Sequence, residues 1–188
     1  INNSKYVYMF GETRTRYEWL NYCKNFGSRN IIKYHQDILN QTAVIVYILG
    51  PFCEVMWLRD KNSYVNLFRD TMDVFKRKFP KIKVLLKPHV TTNLDIVVNE
   101  IGSNKQFEIT SMHPSVLSYY ASCFVSNLYS TTFADAYNLG VYTIEYSDYS
   151  DRFLSCTSGE SVNPQYVDFF VNNNKKDFEQ AVKKSITK

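Results

Sequence analysis

Three short stretches carry the residue types from which a site for an anionic ligand could be built. Lys87-Pro88-His89 closes the apolar run KVLLK; an imidazole there can donate to a phosphate oxygen or act as acid or base, and Lys87 adds charge if it points outward. Ser126 to Thr132 joins a strand-like run directly to a helix-like one, with Ser126 at the strand end and Ser130, Thr131 and Thr132 placing three hydroxyls where the helix would begin. Free backbone N–H groups and the positive end of the helix dipole favour an anion at that point, and a phosphate would fit. Glu145, near the end of VYTIEY, can accept from two ribose hydroxyls, as acidic residues do in nucleotide-binding folds. Each feature also has a plainer reading: a loop histidine, a Ser/Thr helix cap, and a solvated strand-end carboxylate.

Other chemistries lack their signatures. GxGxxG and GxxxxGK[ST] are both missing, which removes the standard dinucleotide fingerprint and P-loop. No D-x-D occurs, Asp148 and Asp151 being separated by two residues, so a metal-bridged diphosphate is not expected and no metal or cofactor is assigned. Neither a G-x-S-x-G nor a Cys/His constellation supports a hydrolase. His113 precedes Pro114 and reads as a helix start, His35 carries no motif, and Asp135 is expected to face solvent or cap a neighbour.

These stretches need a scaffold, and the alternation of apolar runs with helical periods from Thr42 onward supplies one of βαβα type. Strands are expected at Thr42 to Leu49, Lys83 to Lys87, Phe107 to Ile109, Cys123 to Ser126, Val141 to Tyr146 and Tyr166 to Val171. Between them, Val65, Phe68, Met72, Phe75 and Phe79 recur three and four apart in a helix capped at Asn62 or Ser63 and stopped by Pro80. Further helices are expected from Leu94 to Gly102, from Pro114, over Thr131 to Leu139, and over Lys175 to Ile186, with Ser147 to Pro164 irregular. The fold class is therefore α/β, a Rossmann-like parallel sheet with helices on both faces, formed by residues 42–188. In such sheets ligands bind beyond the carboxyl ends of the strands, near the point where strand order reverses. Residues 1–41 read as strand Tyr6 to Phe10, helix Arg14 to Phe26 and strand Asn30 to Lys33, one more βα unit or the remnant of a preceding domain.

A chain of 188 residues, 45% hydrophobic and 21% charged, has the balance of one globular domain rather than of a disordered segment. The net charge of +4 is spread too widely for a nucleic-acid footprint, but it suits a small anion or loose attraction to an anionic membrane surface. Cys23, Cys53, Cys123 and Cys156 form no CxxC pair and are expected as reduced thiols that mostly pack, in keeping with a cytoplasmic protein. No apolar stretch approaches the ~20 residues of a membrane helix. The chain opens at Ile1 rather than Met, so a piece of a longer protein is expected.

The spacing of KVLLKPHV and, about 25 residues later, HPSVLSYYASCFVSNLYSTTFADAYNLGVYTIEY resembles the C-terminal, donor-nucleotide-binding half of GT-B glycosyltransferases. It is similar above all to bacterial surface-polysaccharide enzymes of the sialyltransferase-like and CDP-glycerol glycerophosphotransferase-like families, over roughly residues 42–187. The resemblance implies that His89 contacts the donor phosphate, as the catalytic residue of this half. Ser130 and Thr131 would hold the same phosphate, with Ser126 and Lys87 close by and Glu145 toward the ribose. Departures are visible: Val90 stands where the family has Pro after the His, Asn127-Leu128-Tyr129 replaces an Asp-containing lead-in, and Tyr142 stands where Pro is common.

The expected function is that of a glycosyltransferase domain that binds a nucleotide-activated sugar donor without metal, for surface glycan synthesis. The glycan or lipid-linked acceptor and the general base would come through a missing N-terminal domain, at the inner face of a membrane if the whole protein associates with one. Two alternatives share the fold: a non-catalytic nucleotide-sensing or protein-docking module, and an epimerase-like enzyme acting on a UDP-sugar.

Overall fold

In the computed structural model, which describes residues 16–187, six strands form one wholly parallel sheet. They are β1 (Val44–Leu49), β2 (Lys83–Pro88), β3 (Phe107–Ile109), β4 (Cys123–Ser126), β5 (Tyr142–Ser147) and β6 (Phe169–Asn172). Their order across the sheet is β3-β2-β1-β4-β5-β6. All six residues of β1 are buried, as the uninterrupted apolar, β-branched run requires of a central strand covered on both faces. Its register places Ile45 and Ile48 against Cys123 and Ser126 of β4 on one side, and Val44 and Leu49 against Lys83 and Pro88 of β2 on the other.

Helices cover both faces. On one lie α2 (Ser63–Lys78), α3 (Leu94–Ile101) and α7 (Lys175–Ile186), whose Phe68, Phe75, Val97 and Phe178 pack with Ile45, Tyr47, Leu86 and Tyr146. The Tyr146 and Phe178 rings stack at 4.5 Å between centroids. On the other face α1 (Tyr17–Tyr34), α4 (Pro114–Leu117) and α5 (Phe133–Tyr137) bring Ile31, Leu117, Phe133 and Ala136 onto Val44, Val46, Leu85 and Phe124. A Cβ on Gly27 would lie 2.6 Å from the Val116 side chain, so only glycine lets α1 sit this close to α4.

The strands fall where expected within one or two residues, except that Pro164–Tyr166 is a 3-10 turn and β6 begins only at Phe169. Asn30 to Lys33, expected as a strand, is helical: Cys23, Gly27 and Ile31 recur four apart and form the buried stripe of α1, so the period of the helix carries through. The expected strand at Tyr6 to Phe10 lies outside the described residues. The stretch expected to be irregular contains α6 (Asp151–Cys156), started by the Ser150 hydroxyl, which accepts from the Phe153 N–H. The helix expected over Thr131 to Leu139 is regular only over the five residues of α5, with single turns on either side.

The cysteines divide evenly rather than mostly packing. Cys23 and Cys123 are buried, and burial pushes the Cys123 thiol up to about 12, whereas Cys53 and Cys156 are exposed. Among the described residues, no helix is long and apolar enough to cross a membrane.

Candidate functional site

The chain leaves β1 toward β2 on one side, and β4 pairs on its other side, so the sheet reverses its order between β1 and β4. Above their carboxyl ends opens a cavity of about 710 Å³. In this fold class that crevice is where a ligand has room to approach exposed strand-end backbone without displacing a helix.

One wall comes from the segments after β2 and β4. Lys87, His89, Ser126, Ser130 and Thr131 all line it, so five of the six residues singled out in the sequence meet in one cavity. Lys87 is half-buried; its Nζ donates to the Pro88 carbonyl at 3.3 Å, and burial pushes its ammonium below the ordinary lysine value. A desolvated cation with one neutral acceptor gains from an anion placed beside it. The Ser130 hydroxyl accepts from the Thr132 N–H at 3.2 Å, which leaves its own proton to donate, and Thr131 is exposed to the cavity.

His89 is exposed, yet its backbone is pinned. Its N–H bonds to the Leu49 carbonyl at 3.1 Å and to the Thr92 hydroxyl at 2.9 Å, and that hydroxyl donates to the Gly50 carbonyl at 3.0 Å. Val90, in place of the expected proline, therefore does not leave the turn loose. Hydrogen bonds to the end of β1 supply the restraint that a pyrrolidine ring would otherwise give.

The segment between β1 and α2 builds another part of the lining, mostly apolar through Pro51, Val55, Met56 and Trp57 but including Cys53 and the Glu54 carboxylate, with Leu128 and Tyr129 beside it. The Trp57 ring stacks on Phe153 and leans on Tyr129, each at 6.0 Å. The segment is tied at both feet. At one end the Gly50 N–H donates to the Tyr64 hydroxyl, which lies 3.0 Å from where a Cβ on Gly50 would sit. At the other end Leu58 bridges Tyr149, while the Arg59 and Ser150 N–H groups bond to the Asp148 and Trp57 carbonyls. No motif marks these wall residues in the sequence. What could have pointed to them is a long connection after the strand at the reversal point that keeps apolar residues where a loop is usually polar.

Glu145 stands apart from the other five. It is fully buried and is not part of the cavity wall, although its register partner on β4 is Ser126, which is. The Ser161 hydroxyl donates to its Oε2 at 2.6 Å, and Oε1 has no hydrogen-bond partner among the described residues. Burial raises its pKa above the ordinary glutamate value, against the opposing pull of Ser161 and the Tyr149 hydroxyl. Asp135, expected to face solvent or cap a neighbour, is buried and accepts from the Ser115 hydroxyl at 2.6 Å, tying α5 to α4. His113 caps α4, accepting from the Ser115 N–H. His35, which has no motif, is also buried: its ring nitrogens lie 2.6 Å from Glu108 and 3.0 Å from the Thr110 hydroxyl, and Lys83 bridges Glu108 to Asp37. Among the described residues, no group of His, Cys, Asp and Glu is arranged to hold a metal ion.

No family model matches the sequence, and no curated protein matches it. Solved structures do. The S. aureus MnaA–UDP co-structure is 15% identical and superposes with a TM-score of 0.55 over 99% of this chain and 47% of its own. Os79 from O. sativa, in complex with U2F and trichothecene, is 14% identical with a TM-score of 0.47 over 83% of this chain and 36% of its own. The chain thus spans less than half the length of either, and what it shares with MnaA is the fold, a Rossmann-like parallel sheet covered by helices on both faces.

Proposed function

We propose that this chain is the donor-binding half of a GT-B glycosyltransferase that takes a nucleotide-activated sugar. The observation that carries this reading is the convergence of Lys87, His89, Ser126, Ser130 and Thr131 on one cavity at the β1/β4 reversal point. The fold shared with MnaA, which was solved with UDP, adds support. Breaking the bond between sugar and phosphate leaves negative charge on the departing phosphate. A cation, an imidazole N–H and two hydroxyls already in place stabilise that charge as it grows, so they act more strongly on the transition state than on the bound donor. The mostly apolar segment between β1 and α2 lines the same cavity and gives the uncharged part of the donor or acceptor a surface to lie on. The general base and the acceptor site come from the other half of the protein, and the acceptor is a glycan or a lipid-linked sugar.

An epimerase acting on a UDP-sugar is the second reading, favoured by the fold shared with MnaA, which was solved with UDP. Thermal-shift titration against CMP, CDP, UDP and GDP tests the part common to both. A ligand bound by the native state alone raises apparent stability by mass action, so binding is visible without turnover. One nucleotide is expected to stabilise the chain, and a flat response to all four at millimolar concentration would overturn both readings. With the full-length protein, release of free nucleotide only when an acceptor is present separates the transferase from the epimerase.

A further inference from the structure

A histidine donates to an anion through Nε2 only if the ring proton sits there, and neutral imidazole carries it on either nitrogen. Two contacts of Thr91 decide the matter for His89. The Thr91 backbone N–H, which can only donate, points at Nδ1 from 3.3 Å, and the Thr91 hydroxyl lies 2.8 Å from the same nitrogen. Nδ1 must therefore present its lone pair, which assigns the proton to Nε2. Thr92 meanwhile fixes the backbone of the turn, its N–H bonding to the His89 carbonyl at 3.0 Å and its hydroxyl to the Gly50 carbonyl at 3.0 Å.

We infer that Thr91 is a positioning residue for His89: it holds the imidazole as the Nε2–H tautomer and leaves that N–H as the donor available to the cavity. The inference rests on the reading of His89 as a phosphate donor given above. It divides the labour of the turn, with Thr92 tying the main chain to β1 and Thr91 setting the side chain. Thr91 also lines the cavity, and the role inferred for it is exerted through the ring.

The test uses nucleotide-free protein first. With ¹⁵N-labelled histidine, long-range proton–nitrogen correlation at alkaline pH reports which ring nitrogen carries the proton, and His89→Ala identifies the signals that belong to this ring. Wild type is expected to show a protonated Nε2 and an unprotonated Nδ1. Thr91→Val keeps the shape and the amide at 3.3 Å but removes the hydroxyl, the shorter of the two contacts to Nδ1, and is expected to move both nitrogens part of the way toward the averaged values of an exchanging imidazole. Thr91→Ser restores the hydroxyl and is expected to restore the wild-type pattern. In titrations with the nucleotide that stabilises wild type, Thr91→Val should weaken binding about 5-fold, the loss of roughly one hydrogen bond's effect, and Thr91→Ser should recover it. Nitrogen signals in Thr91→Val identical to wild type would overturn the inference. Signals that move as expected in a protein that binds no nucleotide would leave Thr91 as the positioner of His89 and overturn the nucleotide reading alone.

Discussion

Two sets of polar residues lie within five positions after β4, and they are used in opposite ways. Asn127 turns inward and is fully buried: its Oδ1 accepts from the Tyr47 hydroxyl, and its Nδ2 donates to the Thr71 hydroxyl at 3.0 Å and the Tyr146 carbonyl at 2.9 Å. Its own carbonyl takes the Ser147 hydroxyl at 3.1 Å. Ser130 and Thr131 turn outward to the cavity and keep hydroxyl protons to donate. The first set closes the fold by joining β4 to β1, β5 and α2; the second is left for a ligand. An aspartate at position 127 would match Tyr47 but could not donate to Thr71 or Tyr146, so the buried partners require Asn here.

If that division is right, substitutions at the two sets must separate stability from binding. Asn127→Ala should cost most, about 3 kcal/mol or more, because Tyr47, Thr71 and the Tyr146 carbonyl are left without a partner in the core; urea unfolding measures it, and a loss below about 1 kcal/mol would break the comparison. His89→Ala should weaken nucleotide binding about 10-fold, the effect of one hydrogen bond to a charged group, with the melting temperature of the free protein unchanged. Ser130→Ala with Thr131→Ala should weaken it about 5-fold in calorimetric titration while costing the fold no more than about 0.5 kcal/mol for the lost Thr132 N–H contact. The smallest effect is expected at Glu145, which belongs to neither set. Its folded pKa is raised, so its contribution is complete at acid pH and is lost as pH rises through the folded value. Glu145→Gln should therefore melt higher than wild type at neutral pH, and the two curves should converge in acid.

Much of the scaffold was legible because the physics that forms it is local. β1 reads as a strand from TAVIVYIL alone, since unbroken β-branched apolar runs suit only a strand buried on both faces. α7 reads to the residue, its ends marked by Asn174, which accepts from the Lys176 and Asp177 N–H groups, and by the spacing of Phe178, Ala181 and Val182. Where two periods compete, reading fails: Ile31 and Ile32 look like a strand in isolation, and only the stripe begun at Cys23 shows that the helix continues. α6 was missed because no residue of DRFLSC is fully buried, so no apolar stripe announces it.

The candidate site was legible on one side only. Strand ends advertise Lys87, His89, Ser126, Ser130 and Thr131 because position after a parallel strand is itself information. The wall between β1 and α2, and the burial of Glu145 and Asp135, depend on which distant segments pack together, and no local spacing encodes that; Thr91 is two residues from His89, but nothing in the sequence marks its hydroxyl as turned to the ring. Glu145 shows the limit well: next to a cavity residue in register, it still faces Ser161 across a loop that the sequence does not place.

The tethering of the apolar wall bears on how the cavity can change. Its far foot is fixed by main-chain groups, the Arg59 and Ser150 N–H donors and the Asp148 and Trp57 carbonyls, and its near foot by the Gly50 amide. Anchors made of backbone are indifferent to the side chains strung between them. The exposed Cys53, Glu54 and Met56 can therefore be exchanged for other residues without unseating the segment, which Val55 also holds by packing against the core, so the wall can be re-lined for a different molecule while the opposing turn of His89, Thr91 and Thr92 stays as it is.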